Sequence, residues 1–208
     1  MFYFIRTPWW LRNLYPRCTW QIPVEEKIMY LTFDDGPHPL ITSFVLDELK
    51  KYDARATFFC IGKNVVKNPE VYKRILEEGH AVGNHSFSHL NGWKTKDADY
   101  LADITEAKKY IDSSLFRPPY GKISRFQLTV LSGGRFRFRT VMWTVLSGDF
   151  DTALSPGQCA LHVTANARKG SIVVFHDSEK ANPRMSYALP VVLKYFSEKG
   201  FRFESIRQ

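Results

Sequence analysis

Short apolar runs alternate with amphipathic stretches along most of the chain, and this rhythm limits the fold more than any other feature. Strand-like runs occupy Lys27–Phe33, Ala56–Ile61, Gly79–Gly83, Leu115–Arg117, Phe138–Val145, Ser171–Phe175 and Phe201–Ile206. Helix-like segments lie between them, at Ile41–Tyr52, Pro69–Glu78, Asp97–Asp112, Pro156–Arg168 and Tyr187–Lys199. In the first of these, Phe44, Val45, Leu49 and Tyr52 recur near one face, and Thr42 or Ser43 is placed to cap it. Strands that alternate with helices imply a mostly parallel sheet with helical crossovers. The expected fold is therefore α/β, a distorted (β/α) barrel of about seven parallel strands.

The 208 residues contain no Gly/Ser or Pro-rich linker, repeat or low-complexity block, so a single domain over residues 27–208 is expected, preceded by an arm over residues 1–26. The formal charge of +8 would permit a polyanionic partner, but Lys and Arg are scattered through the chain. Their densest cluster, Arg135-Phe136-Arg137-Phe138-Arg139, alternates like a strand with one basic face. No nucleic-acid partner is expected from it. Cys18, Cys60 and Cys159 are odd in number and include no CxxC pair, which suits small buried hydrophobes better than a disulfide frame.

The stretch MFYFIRTPWWLRNLYP is broken by Arg6, Pro8 and Arg12, and has neither a signal-peptide apolar core nor the length of a membrane span. An arm covering the domain surface is expected. Interfacial membrane contact through Trp9, Trp10 and Arg12 is the alternative. By default the protein is placed in the cytoplasm as a monomer, with the cell envelope as the other location.

Polar residues cluster just past the strand-like runs. Asp34 and Asp35 follow the first, His85 and His89 the third, and Arg117-Pro118-Pro119-Tyr120 the fourth. Asp149 follows the fifth, and His176-Asp177 the sixth. In α/β barrels the carboxyl ends of the strands form the face that carries active sites, so these groups are expected to converge. His-x-x-x-His would set two imidazoles on the same side of one helical turn, and with Asp35 they make a donor set for zinc or a similar divalent ion. Asp34 beside the cation could then act as general base on a metal-held water, oriented by Arg117. Asp149 or Asp177 could raise the pKa of His176 and keep it protonated as general acid. The Tyr120 backbone N–H could help stabilise an oxyanion.

With these residues assembled, the sequence resembles polysaccharide deacetylases of the NodB-homology type, carbohydrate esterase family 4. The likeness runs from about Lys27 to the C-terminus. It rests on Thr32-Phe33-Asp34-Asp35-Gly36, His85-Ser86-Phe87-Ser88-His89, Arg117-Pro118-Pro119-Tyr120-Gly121 and Ile172-Val173-Val174-Phe175-His176-Asp177. The resemblance implies a distorted barrel of that type and a divalent metal, usually Zn2+, with Co2+, Ni2+ or Mn2+ as substitutes. It also implies hydrolysis of N- or O-acetyl groups on an acetylated glycan.

Carried over by position, Asp34 is the base, Asp35, His85 and His89 are the ligands, Arg117 orients the base and His176 is the acid. Asp149 polarises His176, and the Tyr120 amide joins the oxyanion site. Val174 would line the acetyl pocket, with Pro119 and Phe150 in the substrate groove, and His38 becomes a rim residue. The fourth motif departs from the family's Asp-x-x-Asp-Trp: here it is Leu146-Ser147-Gly148-Asp149-Phe150. Two rival activities are weighed: hydrolysis of a small non-sugar amide on the same scaffold, and glycan binding without chemistry. The complete base, ligand and acid set disfavours the second.

Overall fold

Strand β1, Ile28–Asp34, is buried along its whole length, as a strand covered on both faces must be. In the computed structural model, which describes residues 3–134 and 136–207, it lies at the centre of a parallel sheet. The other strands are β2 (Thr57–Cys60), β3 (Ala81–Asn84), β4 (Leu115–Phe116), β5 (Arg139–Thr140), β6 (Val145–Leu146), β7 (Ile172–His176) and β8 (Arg202–Phe203). Their spatial order is β5-β4-β3-β2-β1-β7-β6, with β8 added to the amino-terminal end of β1. This is the expected curled α/β barrel of about seven parallel strands.

The expected strand Phe138–Val145 is two strands, and this corrects the sequence-based assignment. β5 and β6 lie at opposite ends of the sheet path, joined only by residues 141–144. Four extended residues span about 14 Å, so the sheet must curl until its two edges nearly meet. Residues of the N-terminal arm cover that seam. Thr19 bridges Val141, Arg6 bridges Val145 and Gln21 bridges Ser171. The alternating Arg/Phe cluster is also corrected. Phe136 and Phe138 are buried while Arg137 and Arg139 are exposed, but Arg137 has φ 50° and regular strand begins only at Arg139. Arg135 lies outside the described residues.

The helices are α1 (Trp9–Leu14), α2 (Ile41–Lys50), α3 (Gly62–Lys67), α4 (Pro69–Glu77), α5 (Asp97–Ala107), α6 (Arg125–Ser132), α7 (Pro156–Asn166) and α8 (Asn182–Glu198). α6 and α7 each begin with a capping box, Ser124 with Gln127 and Ser155 with Gln158. Neither Thr42 nor Ser43 caps α2, whose N-cap position is Leu40. Thr42 serves the site below instead. α8 starts ahead of Tyr187 because Pro183 suits a first turn, where its missing N–H costs nothing. Leu189, Val192 and Leu193 of α8, Val163 of α7 and Val45 and Leu49 of α2 share one core with Leu31, Phe33, Val173 and Phe175. The three cysteines are buried and free.

Candidate active site

The two adjacent acids diverge. Asp34 ends β1 in register with His176 of β7, whereas Asp35 has φ 83° and turns the chain out of the strand. That turn leaves no room for a side chain at Gly36: a Cβ there would stand 2.0 Å from Asp177 Oδ2. The Gly36 N–H donates to Asp177 Oδ1 at 3.0 Å, and the Thr42 hydroxyl donates to Oδ2. Asp177 therefore secures the acid-bearing turn. Burial pushes its carboxyl up to about 7.

Arg117 is wholly buried, not a surface arginine ahead of a turn. Its Nη1 donates to Asp34 Oδ1 and to Thr32 Oγ1, both at 2.7 Å. Nε and Nη2 donate to the carbonyls of Val141 and Met142, in the segment that joins β5 to β6. The guanidinium also stacks 4.0 Å above the Phe59 ring. A buried cation is tolerable only when paired and fully hydrogen-bonded, and here the seam of the barrel supplies the acceptors.

Asp35, His85 and His89 come together, with one donor atom of each within 4.8 Å of the others. Asp35 Oδ1 lies 3.2 Å from His89 Nε2 and 3.8 Å from His85 Nε2. Yet that oxygen is buried and has no hydrogen-bond partner. Burial acts to raise the Asp35 carboxyl, but contact with His89 and the charges of His176, His85 and His89 carry it well below the usual carboxylate range. His85 Nδ1 is 2.8 Å from the Arg117 carbonyl, which can only accept, so Nδ1 carries the proton and the neutral ring has its lone pair on Nε2. Burial pushes His85 down to about 4. An unpartnered carboxylate oxygen beside two imidazole nitrogens fits a divalent cation.

The His-Ser-Phe-Ser-His segment is not helical, which corrects the expected spacing rule. Ser86 and His89 have φ values of 63° and 60°. The loop folds because Asp103 Oδ2 accepts from the N–H groups of Phe87 and Ser88, while Ser86 Oγ accepts from the His89 N–H. Tyr120, at φ 60° within the 3-10 turn Pro119–Gly121, sets its hydroxyl 3.2 Å from His89 Nδ1.

On the other side of β1, His176 Nδ1 is 2.7 Å from Asp149 Oδ1, and its backbone N–H donates to Asp149 Oδ2 at 2.7 Å. Asp149 is fully buried and its carbonyl accepts from Arg184 Nε. Burial pulls the imidazole down, but Asp149, followed by Asp35 and Asp34, raises His176 to about 10. Of the two acids weighed as its partner, Asp149 is the one in contact with the imidazole, while Asp177 turns to Gly36 and Thr42. Val174 is buried between β1 and β6, and Pro119 is buried in its turn. Phe150 stands edge-on to His176 at 5.3 Å. Behind it, Tyr3 of the arm packs edge-on at 5.0 Å and donates its hydroxyl to Asp151 at 2.7 Å.

Asp103 and Tyr3 were not anticipated. Asp103 sits within α5 with no local motif, and Tyr3 meets its partner 148 positions away. His38 keeps to the rim, where its Nδ1 accepts from the Leu40 and Ile41 N–H groups.

Comparison with known proteins identifies the family. The family profile described as polysaccharide deacetylase matches residues 21–133. A peptidoglycan-N-acetylglucosamine deacetylase of Bacillus cereus is 38% identical over 199 residues, covering 91% of each chain. A chitooligosaccharide deacetylase of Azorhizobium caulinodans is 34% identical, covering 76% of this chain and 77% of its own. The crystal structure of a peptidoglycan N-acetylglucosamine deacetylase superposes with a TM-score of 0.87 at 30% identity, over 96% of this chain and 95% of the other.

Proposed function

The chain belongs to the polysaccharide deacetylase family, and from that premise we propose that it hydrolyses N-acetyl groups on a glycan containing N-acetylglucosamine, releasing acetate. The observation that carries this reading is the pair of groups flanking the Asp35–His85–His89 cluster. Asp34 is held by a buried guanidinium, and His176 is held protonated by Asp149. A carboxylate and an imidazolium set apart in this way support a base and an acid working on one bond.

A divalent ion held by Asp35, His85 and His89, zinc first among the candidates, would act there as a Lewis acid toward the acetyl carbonyl and increase the acidity of water. Arg117 occupies Asp34 Oδ1, so we assign Oδ2 to take the proton of the attacking water. His176 commits Nδ1–H to Asp149, so Nε2 is the nitrogen that hands a proton to the departing amine. The Tyr120 N–H is assigned to the developing oxyanion. Val174 and Pro119 are assigned to the acetyl pocket and its edge, and Phe150 to the sugar face. Residues 27–208 form the catalytic domain in this scheme, and a wall glycan as substrate would place its work in the cell envelope.

The decisive experiment measures acetate release from chitooligosaccharide and peptidoglycan glycan, together with metal content, for wild type and Asp34→Asn. The variant is expected to keep its metal and lose roughly 10²- to 10⁴-fold in turnover. Near wild-type turnover would remove the role given to Asp34.

A further inference from the structure

Helix α1 has no fully buried residue; Leu11 packs partly buried against the core while the other large apolar side chains of the helix stay outside. Trp9 is 74% exposed, Trp10 45% and Leu14 46%, and Phe4 packs edge-on against Trp10 at 5.9 Å. A six-residue helix gains little stability of its own in water, and this one holds a cluster of large apolar side chains at the surface. Two guanidiniums accompany them, Arg12 from the helix itself and Arg6 from the β-bridge before it. Arg6 is exposed, Arg12 is half-buried, and burial together with Arg6 lowers the Arg12 pKa. Arg12 donates from Nη1 to Gln21 Oε1 at 3.2 Å and from Nη2 to the Thr7 carbonyl at 3.5 Å, while its Nε is buried without a hydrogen-bond partner. Among the described residues neither Arg6 nor Arg12 forms an ion pair with a carboxylate, so their charges are not neutralised locally. Exposed tryptophans beside arginines that no carboxylate neutralises match the chemistry of an anionic bilayer surface. Indole rings settle at headgroup depth there, and guanidiniums meet phosphates. A soluble polyanion would leave the aromatics unused.

The arm also sets a direction. Its backbone runs antiparallel to β6: the Leu146 N–H donates to Ile5 O, and the Thr7 N–H donates to Thr144 O. β6 points toward the catalytic rim, so the arm leaves the rim at Tyr3 and delivers α1 toward the opposite, amino-terminal end of the barrel. We propose that α1, with Phe4, Arg6 and Arg12, docks the protein on an anionic phospholipid surface with the catalytic rim facing away from the bilayer. A docked molecule would then present its groove to an extended glycan beyond the membrane.

Vesicle flotation with the full chain tests this without reference to turnover. Wild type is expected to float with phosphatidylcholine vesicles containing about a third phosphatidylglycerol, and to stay in the buffer with phosphatidylcholine alone. Trp9→Ser combined with Trp10→Ser should cut partitioning roughly tenfold, and Arg6→Gln roughly fivefold. Both alter exposed side chains, and an unchanged thermal midpoint verifies the fold. Wild type that ignores anionic vesicles, equal binding to neutral ones, or variants that float like wild type would each overturn the proposal. Orientation is read with fluorophores at Leu14→Cys and Leu40→Cys, since the native cysteines are all buried. Brominated lipid should quench the first and spare the second, which sits past the Asp35 turn. Equal quenching would overturn the stated orientation.

Discussion

His85 and His176 stand on the same rim, both packed among buried neighbours, yet their proton affinities part in opposite directions. Burial takes His85 down to about 4, while the carboxylates around His176 overcome burial and raise it to about 10. The difference lies in what Nδ1 meets. For His85 it is the neutral carbonyl of Arg117, and for His176 it is the carboxylate of Asp149. A carbonyl fixes the tautomer and adds little charge, so desolvation wins and the ring stays a neutral donor. A buried carboxylate favours the imidazolium and leaves a proton ready for transfer. One residue type thus takes two opposite protonation tendencies, set chiefly by the partner of its Nδ1.

The strongest way to break this contrast is to remove its neutral side. His85→Ala with His89→Ala is expected to abolish divalent-ion binding and bring acetate release to background, read by metal analysis and turnover. Undiminished metal content would refute the assigned ligands.

A next, smaller step converts one histidine into the other's surroundings. Asp149→Asn should reduce turnover roughly 10²- to 10³-fold. In chelator-treated protein followed by NMR, His176 should titrate near 10 in wild type and move toward the ordinary value of about 6.5 in the variant. The sign for stability follows from the raised folded-state value. The contribution of His176 is complete below pH of about 6.5, where it is protonated folded and unfolded alike, and is lost as pH rises toward 10. Denaturant titrations should therefore show wild type losing its margin over Asp149→Asn across that window. A margin independent of pH would mean that Asp149 acts by packing alone.

The smallest expected effect concerns the wall beside His176. Tyr3→Ala removes the ring behind Phe150, and a two- to tenfold rise in KM with little change in kcat is expected. Unaltered kinetics would confine Tyr3 to the arm's attachment.

Much of the site was legible because its signals are local. Apolar runs ending in Asp34-Asp35, His85, Arg117 and His176 mark strand ends, and parallel topology sends strand ends to one rim. The helix register of Ile41–Lys50 and the buried strand Ile172–His176 follow from short-range periodicity in the same way. Failures fall where distant partners overrule local pattern. Phe138–Val145 looks like one strand, but its two ends pair with β4 and β7 on opposite margins of the sheet. His-Ser-Phe-Ser-His resembles a helical turn, but Asp103 draws its N–H groups into a loop.

What the sequence determined by itself is the strand and helix alternation, the order of the reactive residues and the family they mark. These depend on side-chain chemistry and on spacings within a few residues. Tertiary structure alone decided that Arg117 crosses the buried interior to Asp34, that Asp177 secures a turn while Asp149 charges a histidine, and that Tyr3 backs Phe150. Each of these is a choice among partners of similar chemistry. The physical reason is that desolvation and hydrogen-bond geometry select among them only after the sheet has curled and brought its two edges together.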